Sequence, residues 1–253
     1  MKRTDYDVIA PRYDQNRYRL LIPRDEFLAE RVAAASQRPF AVLDVACGTG
    51  NYLVEQRRHF ADAGLRFSGL DASAAMLALA RPKLDDVTLV QGRVESMPFE
   101  AASYDYVNSN FAFHHFEDKP RALDEMARVL RPGGALRIHD IEPYTMQSFW
   151  LYEWFPEARA ADRARFWPVL HLDEELERRG FDATLRVVYT RSRASLSEVL
   201  EHVERRDISS LAILSDDEYA RGLALVKNAH ARRPDAQLRT EIAFLTCTAI
   251  AAG

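Results

Sequence analysis

The sequence predicts an α/β fold built on a doubly wound, mostly parallel sheet. Short apolar runs alternate with helical segments up to His139, which is typical of strands joined by crossover helices. The first run leads directly into a glycine-rich turn, Gly48-Thr49-Gly50, where a strand gives way to a helix. Because such crossovers are right-handed, we expect one sheet with helices on both faces.

Seven segments are predicted as strands, in chain order. Each is short and apolar or alternating, and most are bounded by residues that break strands. The sixth follows a short helix and the seventh follows two longer helices, and both could complete the sheet. The predicted strands span residues 41–46, 65–70, 87–90, 104–108, 135–139, 182–189 and 238–249.

Helices are predicted between these strands, with local signals at their ends. Gly64 follows the helix that begins at Asn51, and Ser73 caps the next helix, which stops before Pro82. Pro120 lies near the first turn of the helix after that. The predicted helices span residues 51–63, 73–81, 120–130, 172–179, 195–206 and 215–231.

Length and composition indicate a globular protein. The chain has 253 residues, of which 47% are hydrophobic and 28% charged, and this excludes a disordered or collagen-like chain. A net charge of −4 disfavours a nucleic-acid partner, and two cysteines are too few for a disulfide framework. With no apolar run of membrane-spanning length and no secretion signal, we expect a cytoplasmic monomer or homodimer without a membrane partner.

We predict a single domain over residues 1–253, with three segments outside the simple alternation. Residues 1–25 carry three tyrosines and are expected to form a lid. Residues 144–171 are predicted as an aromatic cap insert and residues 193–236 as a helical cap insert. Both inserts are expected to cover the ligand face of the sheet.

The turn after the first strand is the strongest local sign of a ligand site. It reads Asp44-Val45-Ala46-Cys47-Gly48-Thr49-Gly50, and small residues there let a ligand touch the backbone. A P-loop would need a Gly-Lys-Ser/Thr ending, which the chain lacks. A nicotinamide dinucleotide would need a third glycine where Leu53 stands, so it is disfavoured. S-adenosylmethionine, which has no phosphate, is the third candidate.

The glycine turn is one of several motifs that occur in order along the chain. The others include Asp71 at the end of the second strand, and the motif segments are 5–14, 42–51, 92–99, 110–116 and 128–134. In these motifs the chain resembles the class I S-adenosylmethionine-dependent methyltransferases, most of all the small-molecule group that includes quinone methyltransferases. The resemblance covers about residues 6–180. It implies a seven-stranded Rossmann-like sheet with an antiparallel last strand, S-adenosylmethionine as cofactor and S-adenosylhomocysteine as product.

The resemblance and the chemistry of the cofactor together imply its binding residues. Asp44 is expected to reach the methionine ammonium, and Asp71 the two ribose hydroxyls. Met76 either packs on the adenine or fills the core. The predicted set is Tyr13, Asp44, Ala46, Gly48, Gly50, Asp71, Ala72, Met76, Arg93, Val94 and Asn110.

Arg93 departs from the family pattern. The family often has an aspartate at this position, which accepts a hydrogen bond from the adenine amino group. Because arginine cannot accept, we expect the backbone near Arg93 and Val94, or Glu95, to take this role.

The predicted reaction is methyl transfer to oxygen or nitrogen of a small, planar aromatic or heteroaromatic metabolite, by in-line displacement. The sulfonium is already activated, so the protein mainly aligns the reactants and excludes water. No metal is predicted, since the histidines lack a ligand spacing. The alternatives are C-methylation of a quinone-type ring, a dinucleotide oxidoreductase, and a protein that binds the cofactor without turnover.

Histidine is suited to act as a general base near neutral pH, and the predicted catalytic residues are His114, His139 and His171. For His114 and its neighbour His115, the alternative is a structural role. Adjacent strand residues point to opposite faces, so only one of His139 and Asp140 is expected to face the substrate.

Aromatic side chains are the candidates for the substrate wall. Trp150 and Trp154 lie four residues apart on one helix face, where they either pack the cap or line a flat apolar pocket. In similar enzymes the N-terminal segment folds over the cofactor, where a phenol such as Tyr13 can lie near the sulfonium. The predicted substrate-binding set is Tyr6, Tyr18, His115, Trp150 and Trp154.

Overall fold

In the computed structural model of the chain, residues 4–36, 39–206 and 208–252 are described, without the side chains of Arg17 and Tyr18. The strands are β1 (Phe40–Val45), β2 (Leu65–Asp71), β3 (Thr88–Gln91), β4 (Tyr104–Asn110), β5 (Leu130–Ile141), β6 (Phe181–Ser195) and β7 (Gln237–Ala251). The α-helices are α1 (Tyr6–Tyr13), α2 (Glu26–Ala34), α3 (Asn51–His59), α4 (Ala74–Ala80), α5 (Lys119–Val129), α6 (Trp150–Trp154), α7 (Pro156–Arg165), α8 (Val169–Glu177), α9 (Leu196–Arg205), α10 (Ser209–Ala212) and α11 (Asp216–Arg232).

The strands form one sheet in the order β3-β2-β1-β4-β5-β7-β6. β1 pairs in parallel with both β2 and β4, and the pairs β2–β3 and β4–β5 are parallel as well. Antiparallel pairing among the last strands makes the sheet mixed, so the predicted α/β fold class is confirmed. The strand order reverses between β1 and β4, and ligands of α/β folds bind at the carboxyl ends of strands that flank such a switch point.

The start of β5 differs from the prediction. The strand was expected to begin at Ala135 after a glycine-rich turn, but it begins at Leu130 and includes Pro132 and two glycines. Gly133 has φ +72°, and the register with β4 shifts between Tyr104 and Tyr106. The segment is therefore an irregular, bulged start of the strand, since a glycine-rich bulge bends a strand without ending its pairing.

The described residues divide into two compact units. The sheet unit contains Tyr6–Asp140 and Val169–Arg186, together with the chain after Leu245. The helical unit contains Ile141–Pro168 and Val187–Leu245, so β6 and β7 each contribute residues to both units. The single domain with a lid and two cap inserts stays a prediction.

Each unit has its own apolar core. In the sheet unit, β1 is buried along its whole length, which explains its continuous apolar run. The core of the helical unit includes Trp150 and Phe155. A Cβ on Gly222 of α11 would lie 2.1 Å from Phe155 Cε1, so only glycine allows this helix to approach so closely. Within the described ranges, no helix has both the length and the apolar character that crossing a membrane requires.

Candidate cofactor site and active site

The turn between β1 and α3 has a left-handed backbone at alternating positions. Ala46, Gly48 and Gly50 have φ of +57°, +53° and +78°. A Cβ on Gly50 would lie 2.5 Å from Leu84 Cδ1, so a side chain there would collide with the core. A Cβ on Gly48 would meet no atom within 4 Å, so the backbone at Gly48 faces open space. The turn therefore offers bare backbone to a ligand at the predicted position.

Leu53 stands where a dinucleotide fold has its third glycine, and its side chain is fully buried. The glycine that makes room for it lies on β2. A Cβ on Gly69 would lie 2.9 Å from Leu53 Cδ1 and 2.8 Å from Cys47 Sγ. Gly69 was not among the predicted residues, although a glycine inside an apolar strand often marks such a close approach.

Asp44 lies near the carboxyl end of β1 and is only 2% exposed. Asn108 Nδ2 on β4 donates to Asp44 Oδ1 at 2.7 Å. Burial raises the pKa of Asp44 to about 7, although the hydrogen bond from Asn108 opposes this rise. A cation beside Asp44 would compensate for the lost hydration of the carboxylate, so this residue suits an ammonium group.

The Asp71 carboxylate is hydrogen-bonded both to the glycine turn and to the residue that caps α4. Its Oδ2 accepts from the Gly48 N–H at 2.7 Å, and its Oδ1 accepts from the Ser73 N–H at 2.8 Å. Burial raises the pKa of Asp71, although these backbone hydrogen bonds lower it. Each oxygen of a carboxylate can accept more than one hydrogen bond, so Asp71 can also accept from hydroxyl groups of a ligand.

Two other predicted cofactor residues lie next to Asp71 in sequence. The Ala72 carbonyl accepts from Gln91 Nε2 at 3.3 Å. Met76 is 1% exposed, and its N–H donates to Ser73 Oγ, which caps α4. Met76 therefore fills the core of the sheet unit, and its contact with adenine stays a prediction.

Arg93 lies between two acidic side chains. Its guanidinium contacts Glu117 Oε1 at 2.9 Å and Glu95 Oε2 at 3.4 Å. Glu95 Oε1 in turn accepts from the Glu117 N–H at 2.9 Å, so Glu95 already organises this loop. Val94 is buried. Of the expected ways to bind adenine, the backbone near Arg93 and Val94 is the simpler one, because Glu95 has other partners.

Asn110 ends β4 at the carboxyl edge of the sheet. Its Oδ1 accepts from Arg137 Nη1 at 2.7 Å. Its Nδ2 is buried and has no hydrogen-bond partner within the described part of the chain. A buried donor of this kind favours a ligand with an acceptor at this position.

His114 and Asp140 form a buried pair. His114 Nδ1 lies 2.9 Å from both Asp140 Oδ1 and Asp140 Oδ2, and both residues are at most 6% exposed. The His114 N–H also donates to Asp140 Oδ2 at 3.2 Å. An ionised Asp140 favours the tautomer that has its proton on Nδ1 and its lone pair on Nε2.

His115 connects this pair to the N-terminal helix α1. The rings of His114 and His115 lie 3.9 Å apart, and Tyr6 Oη on α1 lies 2.6 Å from His115 Nε2. The predicted residues Tyr6, His115 and His114 are thus brought together in the sheet unit.

His139 and His171 lie in different surroundings. His139 Nδ1 lies 2.8 Å from Thr246 Oγ1, whereas its neighbour Asp140 contacts His114. Burial, assisted by Arg137, lowers the pKa of His139 to about 4, which makes it a weak base at neutral pH. His171 lies on α8 with a half-exposed side chain, and its Nδ1 lies 4.0 Å from Glu174 Oε2.

Within the sheet unit, two aspartates of the N-terminal segment, which is predicted to be a lid, contact the starts of two helices. Asp7 Oδ1 accepts from Ser73 Oγ at 2.5 Å, at the start of α4. Asp14 Oδ1 accepts from Thr49 Oγ1 at 2.8 Å and from Asn51 Nδ2 at 2.9 Å, at the start of α3. These two roles were missed because side chains bound to distant helix starts leave no local sequence pattern.

Tyr13 is the last residue of α1, the helix that begins at Tyr6. Its ring contacts Tyr6 edge-on, with centroids 6.3 Å apart. Burial raises the pKa of Tyr13, as do the charges of Asp71 and Asp14, while Arg19 lowers it. The Tyr13 phenol therefore lies close enough to Asp71, the residue predicted to bind the ribose, to interact with its charge.

The other predicted substrate residues are Trp150, Trp154 and Tyr18, and the two tryptophans lie in the helical unit. Trp150 is 6% exposed in the core of the helical unit, and Trp154 packs against the same core. This is the packing alternative of the sequence analysis, and a substrate role stays a prediction. The side chain of Tyr18 lies outside the described residues.

The geometry fits the predicted cofactor in the sheet unit. It provides an open glycine backbone at Gly48, a buried carboxylate at Asp44, a second carboxylate at Asp71 and a buried amide donor at Asn110. S-adenosylmethionine has an ammonium group and a ribose diol for the carboxylates. Among the described residues, no group of three or more His, Cys, Asp or Glu side chains is arranged to hold a metal ion.

The chain is similar in sequence to a known family and to curated proteins. Residues 43–138 match the family model described as a methyltransferase domain. The chain is 35% identical to the demethylmenaquinone methyltransferase of Chlorobaculum tepidum over 149 residues, 56% of this chain and 59% of the relative. It is 32% identical to the demethylmenaquinone methyltransferase of Thermotoga maritima over 160 residues, 60% of this chain and 69% of the relative. The chain thus spans less than two thirds of the Chlorobaculum protein.

Solved structures give the same fold. The YcgJ protein from Bacillus subtilis superposes with a TM-score of 0.61 at 17% identity, covering 90% of this chain and 99% of that one. At this identity the likeness concerns the fold alone. Together with the ordered motifs and the Thermotoga relative, the comparisons establish that the chain belongs to the class I S-adenosylmethionine-dependent methyltransferases.

Proposed function

We propose that the chain binds S-adenosylmethionine in the sheet unit and transfers its methyl group to oxygen or nitrogen of a small, planar aromatic or heteroaromatic metabolite. The observation that carries the proposal is the arrangement of Asp44, Gly48 and Asp71. A buried carboxylate and an open glycine backbone lie together with a second carboxylate that is hydrogen-bonded to that backbone. S-adenosylhomocysteine would be the product.

Each residue of this arrangement has one role in the proposal. Asp44 binds the ammonium group, Asp71 accepts from the ribose hydroxyls, and Gly48 allows the ligand to lie on the backbone. Bound S-adenosylmethionine supplies a methyl group that is already activated for in-line displacement. The protein aligns the acceptor with that methyl group and excludes water.

His114 is the proposed general base for an acceptor that must lose a proton, such as a phenol or a ring N–H. Asp140 holds the imidazole by Nδ1, so Nε2 is the proton acceptor. His139, whose pKa burial lowers to about 4, is a weak base at neutral pH. His171 stays a candidate base, and it could act only if the acceptor atom of the substrate binds next to it.

A second candidate is C-methylation of a quinone-type ring. The names of the Chlorobaculum and Thermotoga relatives favour it, since both are demethylmenaquinone methyltransferases. A third candidate, from a different class, is a protein that binds the cofactor without turnover. In each case we propose a cytoplasmic monomer or homodimer without a nucleic-acid or membrane partner.

Thermal melting tests the cofactor. S-adenosylhomocysteine should raise the melting temperature, because a ligand that binds only the folded state stabilises it. NAD and ATP should leave the melting temperature unchanged. An equal shift with NAD would favour the oxidoreductase alternative.

Labelling tests the reaction. The protein is incubated with a metabolite extract and with S-adenosylmethionine that carries a ¹³C-methyl group, and the labelled product is found by mass spectrometry. The carbon chemical shift of the new methyl group then distinguishes attachment to oxygen, nitrogen or carbon. Tight binding of S-adenosylhomocysteine without any labelled product would favour the non-catalytic alternative.

A further inference from the structure

A row of polar side chains crosses three neighbouring strands near their carboxyl ends. Asp44 on β1 lies opposite Asn108 on β4, and Asn108 lies opposite Arg137 on β5. Residues that lie opposite each other on adjacent strands have their side chains on the same face of the sheet. Asp44 and Asn108 are buried, and the Arg137 side chain is mostly buried. Polar groups in such a place need partners, and here they are partners for one another.

Arg137 fixes the direction of two carboxamide groups on β4. Its Nη1 donates to Asn108 Oδ1 at 3.0 Å and to Asn110 Oδ1 at 2.7 Å. Because a guanidinium has donors and no acceptor, each carboxamide turns its oxygen toward Arg137 and its NH₂ group away. The NH₂ group of Asn108 then donates to Asp44 Oδ1 at 2.7 Å. Without Arg137, the Asn108 carboxamide would be free to flip and to place its oxygen against the Asp44 carboxylate.

Asp25, the residue that caps α2, contacts the guanidinium of Arg137 as well. Arg137 Nε lies 3.8 Å from Asp25 Oδ2. The same oxygen accepts from Tyr52 Oη at 2.6 Å and from Tyr106 Oη at 2.7 Å. Asp25 therefore keeps two strong hydrogen bonds when Arg137 is replaced, so the sheet unit should tolerate a substitution of Arg137.

Several groups that face Asp44 disfavour its ionised form. Burial raises the pKa of Asp44 most, and the negative charges of Asp71 on β2 and of Asp25 raise it further. Cys47 in the glycine turn also interacts with Asp44, but burial raises the pKa of this thiol, so Cys47 is uncharged at neutral pH. These surroundings make a carboxylate at this position costly unless other groups compensate.

The row across the sheet provides that compensation. The hydrogen bond from Asn108 and the positive charge of Arg137 both lower the pKa of Asp44. Arg137 contributes in two ways, because it carries the charge and also holds the Asn108 carboxamide in the donating direction.

We propose that Arg137 is a positioning residue for Asp44, which keeps the carboxylate ionised and ready to pair with the ammonium group of a ligand. The inference rests on the proposed binding of S-adenosylmethionine, in which Asp44 binds the ammonium. In this role Arg137 acts through Asn108 and Asp44 and contacts no ligand.

Titration of the Asp44 carboxyl group tests the inference without any ligand. The full chain is prepared with aspartate that carries ¹³C at Cγ, and the Asp44 signal is the one lost in Asp44→Asn. The midpoint is measured for the wild type, Arg137→Met, Arg137→Lys and Arg131→Met. Arg131 is the matched control, because it lies on the same strand but pairs with Asp105 near the amino ends of β4 and β5.

Arg137→Met should raise the midpoint by about one pH unit or more, because an opposite charge nearby favours an ionised carboxylate. Arg137→Lys keeps the charge and should stay closer to the wild type, and Arg131→Met should not move the midpoint. If Arg137→Met does not fold, Arg137→Gln takes its place, since it keeps a hydrogen-bond donor and lacks the charge. An unchanged midpoint in the folded variant would overturn the inference.

Calorimetry with S-adenosylhomocysteine connects the inference to the proposed function. Arg137→Met should bind about fivefold more weakly than the wild type at pH 7, and the two affinities should differ by less than about twofold at pH 8.5. Titration of the ligand's own ammonium group affects both proteins alike. An equal loss at both pH values would mean that Arg137 only supports the local structure, and this would overturn the inference. If the wild-type chain does not bind S-adenosylhomocysteine, the proposed cofactor is overturned, whereas the carboxyl titration still decides whether Arg137 acts on Asp44.

Discussion

His114 and Asp140 form a buried imidazole–carboxylate pair in which Nδ1 lies 2.9 Å from both carboxylate oxygens. His114 lies in the turn after β4, and Asp140 lies on the neighbouring strand β5. The pair therefore depends on the pairing of two strands whose carboxyl ends meet at one edge of the sheet. It is the best-defined candidate for a general base in the described residues.

Asp140→Asn should lower kcat by about 100-fold for an acceptor that loses a proton, because the amide no longer holds the required tautomer of His114. Steady-state kinetics with the product-forming metabolite would measure this, and affinity for S-adenosylhomocysteine should not change. Thr246→Val is the matched control, because it removes the partner of His139 instead. Full activity of Asp140→Asn would exclude His114 as the base.

Binding of S-adenosylhomocysteine should strengthen as the pH rises through the pKa of Asp44, which burial raises to about 7. The carboxyl group is mostly protonated at pH 6 and mostly ionised at pH 8, and only the ionised form pairs with an ammonium group. The affinity should therefore rise about tenfold between these pH values and then level off. Calorimetry in two buffers should also detect proton release near pH 7. Asp44→Asn should abolish both effects, and a flat profile for the wild-type chain would contradict the role of Asp44.

Asp71→Ala should weaken binding of S-adenosylhomocysteine by about 1–3 kcal/mol, because charge-assisted hydrogen bonds to the ribose are lost. The substitution also removes the acceptor for the Gly48 and Ser73 N–H groups. Ser73→Ala controls for damage at the start of α4, since it removes the helix cap and should cost about 1 kcal/mol of stability. If both variants bind the ligand as the wild type does, Asp71 does not belong to the site.

Asp14→Ala should loosen the lid. Burial raises the pKa of Asp14, but hydrogen bonds from Lys83, Thr49 and Asn51 together bring it below its usual value. Without this carboxylate, limited proteolysis should cleave the N-terminal segment faster, with little change in the melting temperature of the folded chain. Lys83→Met removes a half-buried ion pair with Asp14 and a hydrogen bond to Asn51 but keeps the Asp14 carboxylate, so it should have a smaller effect. Unchanged protease protection in Asp14→Ala would mean that other contacts hold the lid.

Trp150→Ala should destabilise the protein by about 3–5 kcal/mol, because it removes a buried aromatic from the core of the helical unit. Trp154→Ala should cost less, since Trp154 is only partly buried. Denaturant unfolding and steady-state kinetics, measured on the same variants, distinguish a packing role from a substrate-binding role. A higher substrate KM in Trp150→Phe, at nearly wild-type stability, would support a substrate wall, whereas an unchanged KM would leave only packing.

Much of the fold and part of the candidate site were predictable from local sequence. The apolar run of β1, its glycine turn and the acidic residue that ends β2 each carry their own pattern, because backbone geometry dictates small or polar residues there. Gly48 and Gly50 were predicted on that basis, whereas Asp44 and Asp71 were predicted from the family resemblance and the chemistry of the cofactor. Tyr6, His114 and His115 were also predicted, but the sequence did not indicate that they contact one another.

The fold class and the glycine turn were predictable from local patterns, since strand and helix periodicity and turn chemistry act over a few neighbouring residues. Which side chains meet depends on how the strands and helices pack. Asp140 pairs with His114 from another strand, Gly69 makes room for Leu53, and Asp14 of the N-terminal segment binds the start of α3. Such contacts join residues that lie far apart in the chain, so their chemistry depends on strand order and helix packing, which local patterns do not encode.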